Sequence, residues 1–335
     1  MKRLSIIVPI YNVEPYLGRC LRSLEDQDIP KDDYEIICIN DGSPDDSRQV
    51  VMHIQKEFDN IILIDQENQG VSRARNNGID KACGMYLLFI DPDDFVEVNS
   101  FARILKNVEV KEAQVSFLGF TILNEGGTIR NQVFNGNHTE KIFSGTEAYF
   151  LSRGDGCTDP DRMWAVLFKT DFLNYNNLRF LPDVPYLEDG EFIARILCMA
   201  ERCIFGGHSF YQRTTRTGSA TNSRLFHSEI ATNGFLLAAS NLKRFQQEQN
   251  LNEKQKEFLN QPICKFVLLS LMSSINSLSR INKIIKRLKS FGLGRCDLAG
   301  CKHLYRNEGA LYNLSPYLFL LHRKIGVPLA RMVKS

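Results

Sequence analysis

The sequence predicts an α/β fold: a doubly wound, mainly parallel sheet flanked by helices, followed by a helical C-terminal region. Three observations predict it. Over roughly the first hundred residues, short apolar runs alternate with segments of helical periodicity, and right-handed crossovers then make the strands parallel. One run, Tyr86 to Ile90, is apolar or aromatic throughout, as in a strand buried on both faces, and it stops at three carboxylates, Asp91, Asp93 and Asp94. Beyond Arg224 the strand-like runs end and helical spacing takes over.

Leu4 to Ile10 (LSIIVPI) is the first strand, rich in β-branched residues, with Tyr11-Asn12 at its carboxyl end. Val13, Leu17, Cys20, Leu21 and Leu24 recur at helical spacing and predict an amphipathic helix near Pro15 to Asp26. Tyr34 to Asn40 (YEIICIN) is the second strand and runs into Asp41-Gly42-Ser43. Val50, Val51, Ile54 and Phe58 mark a second helix, and Ile61 to Ile64 a third strand. Gly70 precedes a helix on which Val71, Ala74, Gly78, Ile79 and Ala82 share a face. Tyr86 to Ile90 is the fourth strand. Ligands of open parallel sheets bind outside the carboxyl ends of the strands, so Asp91, Asp93 and Asp94 stand where a small ligand or a hard cation can reach them. The same residues also read as a helix start, with Asp91 as cap, Pro92 at the first helical position and acid in the first turn.

From Phe95 to about Phe150 the periodicity loosens. Val115 to Leu123 is strand-like, Gly126-Gly127 is a turn and Gly154 to Gly156 is loop. Trp164, the only tryptophan, lies in Met163 to Lys169, just before a strand. Phe192, Ile193, Ile196 and Leu197 make an apolar helix stripe with Glu188 and Asp189 at its start, where acids also serve simply to cap. Tyr211 to Thr221 is aromatic and basic, with a short Gly218-Ser219 loop. Helical spacing then covers Ile230 to Phe245, Lys256 to Leu278 and Ile281 to Leu288, with Phe266 to Met272 in a helical core.

With 43% hydrophobic and 24% charged residues among 335, the chain has the composition of an ordinary globular protein. The net charge of +2 is unevenly spread: from Ser279 on, 12 Lys/Arg stand against 2 Asp/Glu, and no acid follows Glu308. That asymmetry predicts an anionic partner for the tail. Pro316 to Leu321, followed by His322-Arg323-Lys324 and by Arg331 and Lys334, reads either as a stretch lying in a lipid interface or as a terminal helix docked on the sheet. Nine scattered cysteines without a CxxC suit a reducing, cytosolic compartment. Cys38, Cys83 and Cys198 are read as small core residues, and the Cys296–Cys301 spacing as incidental. The chain enters a strand almost at once, so no signal peptide is expected, and no apolar run reaches the ~18 residues of a membrane span. There is no GxGxxG after the first strand and no GxxxxGK[ST], which argues against a dinucleotide dehydrogenase or a P-loop kinase. Nor is Pro9-Ile-Tyr-Asn12 the Gly-rich phosphate loop a nucleotidyltransferase would want.

Ser5 to Asn12 (SIIVPIYN), Glu35 to Ser43 (EIICINDGS), Asn68 to Asn76 (NQGVSRARN) and Asp91-Pro-Asp-Asp94 resemble the ordered signatures of family 2 glycosyltransferases of the GT-A fold, of the bacterial polysaccharide or glycolipid type. Each alone is weak; four in the right order over roughly the first hundred residues are hard to reach by coincidence. Family members usually carry a small residue between the first two Asp, where this chain has Pro92. The resemblance implies a Rossmann-like GT-A catalytic domain over residues 1–225, with a nucleotide-binding half, 1–95, and an acceptor half, 96–225. A C-terminal helical region with a basic tail, 226–335, completes the chain. It implies that Pro9, Tyr11, Asn12, Asp41, Gly42, Asn68, Arg75, Asp91 and Asp93 grip a nucleoside diphosphate sugar, a UDP-sugar in the first instance. Mn²⁺ or Mg²⁺ would sit on Asp93, Asp91 would contact the ribose or the metal, and Asp94 would stand behind them.

Side-chain chemistry fits these roles and leaves alternatives open. Tyr11 can stack on a base or be an interface aromatic, and Asp41 can accept from a uracil N–H or be a turn residue before Gly42. Arg75 can pair with phosphate or orient the acidic loop. Glu188-Asp189 looks like the family's ED motif, with Asp189 as general base and a neighbouring like charge to tune it. Asp94, Trp164, Arg213 and Arg216 are candidate diphosphate or acceptor contacts, although Trp164 also suits a core and the arginines an ordinary basic loop. The implied activity is inverting transfer of a hexosyl or N-acetylhexosaminyl group to a hydroxyl of a glycan or lipid-linked acceptor, in cell-surface polysaccharide synthesis. Its place would be the cytoplasm, at the inner face of the membrane if the tail engages lipid. No nucleic-acid partner is expected. The alternative is a non-catalytic nucleotide-sugar-binding or scaffold protein of a glycan assembly complex, against which the intact DxD and ED elements count.

Overall fold

The computed structural model describes residues 2–124, 127–133, 140–152, 161–182, 184, 187–215 and 224–326. Gly126, Gly154 to Gly156, Tyr186, Arg216, Gly218-Ser219, Arg331 and Lys334 lie outside these described residues. The chain divides into two compact units, Met1–Pro182 with Met199–Ser219, and Asp183–Cys198 with Ala220–Ser335.

The first unit opens with β1 (Leu4–Ile10), β2 (Tyr34–Asp41), β3 (Ile61–Gln66) and β4 (Tyr86–Phe89), all parallel, in the order β3-β2-β1-β4. Every residue of β1, β2 and β4 is buried, which is why their apolar runs do not alternate. The register sets Ile7 level with Ile37 on one side and Phe89 on the other, so the carboxyl ends of the three strands emerge together. Helices α1 (Glu14–Glu25), α2 (Ser47–Ile54) and α3 (Val71–Lys81) make the crossovers. Phe58, expected on the second helix, lies past the end of α2. α3 sits hard against β1: a Cβ on Gly78 would lie 2.4 Å from Ile7 Cγ2, so only glycine permits this approach.

The sheet continues β4-β8-β6-β9-β5 through β5 (Phe95–Val96), β6 (Val115–Leu123), β8 (Val166–Lys169) and β9 (Cys203–Thr214), with β7 (Ile129–Val133) on β6. Here the pairing becomes mixed: β8 is antiparallel to β4 and β6, whereas β6 and β9 are parallel. α4 (Phe101–Val110), α5 (Gly145–Leu151) and α6 (Thr170–Tyr175) complete this half. The main core joins β1, β2, β4, β6, α1, α2 and α4; Ile37, Ile39 and Ala74 form a smaller cluster under α3.

The second unit contains α7 (Glu188–Met199) up to Cys198, α8 (Glu229–Glu248), α9 (Glu253–Met272), α10 (Leu278–Ser290), α11 (His303–Leu314) and α12 (Pro316–Leu321). The helix expected to run to Leu278 ends at Met272 instead, because the Ser277 hydroxyl accepts the Arg280 N–H and starts α10. Phe266, Val267, Leu268 and Leu271 are buried as expected. Glu191 is fully buried and bonded to Arg195 by two contacts, Oε1–Nε 2.6 Å and Oε2–Nη2 2.7 Å, while Asn241 of α8 donates to its Oε1. Gln255 of α9 donates to the Cys198 carbonyl at 2.8 Å. These bonds tie α7 to the two helices that follow.

Cys38 and Cys198 are buried, but Cys83 is exposed, which corrects its reading as a core residue. It lies in the turn between α3 and β4, where its backbone N–H is donated to Glu35 at 2.7 Å and its thiol to the Lys81 carbonyl at 3.7 Å. No helix among the described residues is long and apolar enough to cross a membrane.

Candidate active site

The first corner of the site is built by the ends of β1 and β2. Asn12 turns the chain with φ +54° and donates its N–H to Ser43 Oγ at 2.7 Å, leaving Tyr11 half exposed, at 50%, beside the end of the sheet. Pro9 lies inside β1, level with Ile39. Gly42 has φ +65°, and a Cβ there would meet the Asn68 N–H at 3.0 Å, so this turn needs glycine twice over. Asp41 is buried. Its Oδ1 accepts from the Gln69 N–H and Gln66 Nε2, and its Oδ2 from the Gly70 N–H, all at 2.8 Å. Asp41 thereby fixes the loop that carries Asn68 and begins α3. Asn77 on α3 in turn donates to Gln66 Oε1 at 2.9 Å.

The second corner is the end of β4. Asp91 and Asp93 are partly exposed and Asp94 is buried. The helix-start reading of this stretch does not hold: the turn, closed by the Asp94 N–H on the Asp91 carbonyl at 3.0 Å, leads into β5. Arg75, buried on α3, donates to Asp91 Oδ1 at 3.2 Å and lies 5.2 Å over the Phe180 ring, so of its two expected roles the geometry displays the orienting one. Asn76 bonds the Phe180 backbone through both N–H and carbonyl, at 2.8 and 2.9 Å, which holds that ring in place.

Asp94 clamps the acidic turn to β9. Its Oδ2 accepts from the Tyr211 hydroxyl and its Oδ1 from the Thr214 N–H, both at 2.7 Å, while Thr214 Oγ1 donates to the Asp93 carbonyl at 2.6 Å. The same Tyr211 oxygen accepts the Asp91 N–H at 3.2 Å. Burial, with the charges of Asp93 and Asp91, pushes the Asp94 carboxyl up to about 8, against the downward pull of the hydrogen bonds from the Thr214 N–H and the Tyr211 hydroxyl. Three carboxylates thus crowd one turn. Among the described residues no three metal-ligating side chains converge. A hard cation is nonetheless suited here, because Mg²⁺-type sites commonly take one or two carboxylates and complete their shell with water and substrate phosphate.

Trp164 is buried, with its ring 4.9 Å from Phe120 and 5.1 Å from Tyr211, and the Arg213 guanidinium lies 5.0 Å over it. Of its two readings, the structure displays the core one, as a platform under Tyr211 and Arg213. Arg162, also buried, donates to the carbonyls of Leu118, Trp164 and Ala165 and sets that platform. Glu188 and Asp189 form the first turn of α7 in the second unit, both partly exposed.

Sequence reasoning missed Tyr211, Thr214, Gln66 and Asn77. Tyr211 and Thr214 fall in a stretch singled out for its arginines, and their role depends on β9 lying near the end of β4, which spacing does not reveal. A cavity of about 510 Å³ lies elsewhere in this unit, lined by Arg103, Ile104, Leu118, His208 and Phe210 among others, and includes none of the expected site residues.

Fold and strand-end site together define a GT-A-type α/β protein. Residues 5–170 match the glycosyl transferase family 2 domain. The glycosyltransferase EpsJ of Bacillus subtilis is 30% identical over 297 residues, 87% of this chain and 84% of EpsJ. The glycosyltransferase GlyA of Streptococcus pneumoniae is 29% identical over 65% of this chain, which spans only 31% of GlyA. A crystal structure of Staphylococcus aureus TarS in complex with UDP-GlcNAc superposes with TM-score 0.69 at 19% identity, covering 97% of this chain and 92% of that one. The chain belongs to glycosyl transferase family 2.

Proposed function

We propose that the chain is an inverting glycosyltransferase that moves a hexosyl or N-acetylhexosaminyl group from a UDP-sugar to a hydroxyl of a glycan or lipid-linked acceptor in cell-surface polysaccharide synthesis. The observation that carries this is the Asp91–Asp93 pair at the end of β4, Asp91 held by Arg75 and Tyr211 and Asp93 by Arg19 and Thr214, with the Tyr11–Asp41–Asn68 corner at the ends of the adjacent strands. Tyr11 offers an exposed ring for stacking on the base. Asp41 already accepts three intrachain bonds, and a carboxylate has about four acceptor positions, so one remains for a uracil N–H. The UDP in the TarS structure supports that choice of nucleotide.

Mn²⁺ or Mg²⁺ on Asp93, with Asp91, supplies charge neutralisation for the leaving diphosphate when bound. Arg75 keeps Asp91 oriented. Asp189 takes the acceptor proton, as a positioned carboxylate base does, with Glu188 beside it. Arg213 and Arg216 are offered to the diphosphate. In functional terms residues 1–95 take the nucleotide and 96–225 the acceptor, and residues 226–335 carry the basic tail, with the enzyme working at the cytoplasmic face of a membrane.

The test is UDP release from a panel of UDP-sugars with Mn²⁺, with Asp189→Asn alongside. Release by the wild type that the variant loses is expected. Binding of a UDP-sugar without any turnover, with or without acceptor, would instead establish a non-catalytic binding protein.

A further inference from the structure

The outer side of α12 and the adjoining row of α10 have no role in this chemistry. Phe319 and Leu320 are buried and seat α12 on α9 and α11. Tyr317, Leu318 and Leu321, with Ile325 one turn further on, are exposed and recur at helical spacing, so they form one apolar line. Scattered single exposed leucines are ordinary; a line of them is not. The Tyr317 hydroxyl donates to Asn282 Oδ1 and so sets this line beside α10. On α10, Leu278, Asn282, Lys286 and Lys289 are exposed along the same row. Lys283 is engaged by Glu229 at 3.6 Å, whereas Lys286, Lys289 and Lys324 rim the apolar line. The last acid of the chain, Glu308, is buried and paired with Arg323 at 2.8 Å, so it adds no negative charge to this surface.

We infer that this face docks on an anionic lipid bilayer, with Leu318, Leu321 and Ile325 entering the interface and Lys286, Lys289 and Lys324 meeting the headgroups. Charge complementarity selects this occupant. A two-fold contact with a second copy would set the same cations against one another, whereas an anionic leaflet attracts them all. Lysines at the rim of an apolar line also lie well in an interface, stem in the apolar layer and ammonium in water. The inference deepens the proposed function by giving a lipid-linked acceptor a surface on which the enzyme meets it, and rests on that reading for the acceptor alone.

The test is co-sedimentation of the full chain with phosphatidylcholine vesicles, with and without phosphatidylglycerol, at low and high salt. Leu318→Glu/Leu321→Glu and Lys286→Glu/Lys289→Glu are compared with the wild type. All four leucine and lysine positions are exposed, and thermal melts check that the variants fold. We expect binding only to phosphatidylglycerol vesicles, weakened ~tenfold or more by either pair of substitutions and by salt. No wild-type binding to those vesicles overturns the inference, as does binding equal in all three proteins. A wild-type dimer that Leu318→Glu/Leu321→Glu splits also overturns it, because the face is then an interface between copies. UDP-sugar hydrolysis in the same samples keeps the two readings apart: its absence beside retained lipid binding removes the transferase reading and leaves this one standing.

Discussion

Asp91 and Asp93 are held in different ways. Asp91 is fixed at its carboxylate by Arg75 and at its backbone by Tyr211, whereas Asp93 is fixed through its carbonyl, by Arg19 at 3.2 Å and Thr214 at 2.6 Å. Replacing the Asp93 side chain therefore leaves those backbone bonds in place. Asp93→Asn is expected to fold normally, to weaken Mn²⁺-dependent UDP binding and to lose most turnover. Unchanged activity in this variant, or full wild-type activity in excess EDTA, would dispose of the metal role. For the base, Asp189→Asn is expected to keep UDP-sugar affinity and lower kcat by ~10²-fold or more, the scale of a lost general base, with a smaller effect from Glu188→Gln. A parallel fall in affinity would make Asp189 a donor contact or a cap. Tyr211→Phe removes one hydroxyl that serves both Asp94 and the Asp91 N–H, and keeps the ring on Trp164. A loss of ~1–3 kcal/mol is expected in denaturant melts, since a buried polar group is left short of its partner.

Glycines distinguish packing from propensity at the level of the helices. A Cβ on Gly78 of α3 would lie 2.4 Å from Ile7, inside the sheet, while one on Gly18 of α1 meets nothing within 4 Å. Gly78→Ala is thus expected to cost ~1–3 kcal/mol by overpacking. Gly18→Ala should stabilise by up to ~1 kcal/mol through helix propensity. Equal effects in thermal melts would mean that α3 can lift off β1 without penalty. The strands β1, β2 and β4 were legible because burial on both faces writes itself as unbroken apolar runs, and the partly buried edge strand β3 because its short run Ile61 to Ile64 is apolar too. α4 was not: Phe101, Ile104, Leu105 and Val108 do have helical spacing, but they lie in a stretch where short strands and turns interrupt the alternation. At the candidate site, the place of Asp41, Gly42 and Asp91 at strand ends was legible, since it follows from where the apolar runs stop. Tyr211 and Thr214 were not, because their role comes from a non-local contact between β9 and the turn after β4. Cys83 faces out despite its apolar neighbourhood in sequence, because it lies in the turn between α3 and β4.

The chain enters the second unit at Asp183, returns to the first at Met199 and leaves it again at Ala220. Residues 1–225, the region proposed to carry catalysis, therefore include a helix whose partners lie beyond their end. Every residue of α7 from Gly190 to Cys198 is buried. Part of that cover comes from α8 and α9, through Asn241 on Glu191 and Gln255 on the Cys198 carbonyl. A chain ending at residue 225 would expose Glu191 and Arg195 to a half-open surface and uncover apolar side chains that contribute ~1.5–3 kcal/mol each when fully buried. A few such losses rival the ~5–15 kcal/mol of net stability that a native protein typically has. The truncated chain is accordingly expected to aggregate or to melt without cooperativity, while the full chain melts cooperatively. Within the full chain, Asn241→Ala should cost ~1–3 kcal/mol by leaving a buried carboxylate short of a donor. Deleting the chain after Ile325 instead keeps Asn241 and Gln255, and a cooperative melt is expected to persist. A soluble 1–225 chain with a sharp transition and UDP-sugar binding equal to the full chain would show that α7 does not depend on α8 and α9, and that the ED pair is carried by the catalytic region alone.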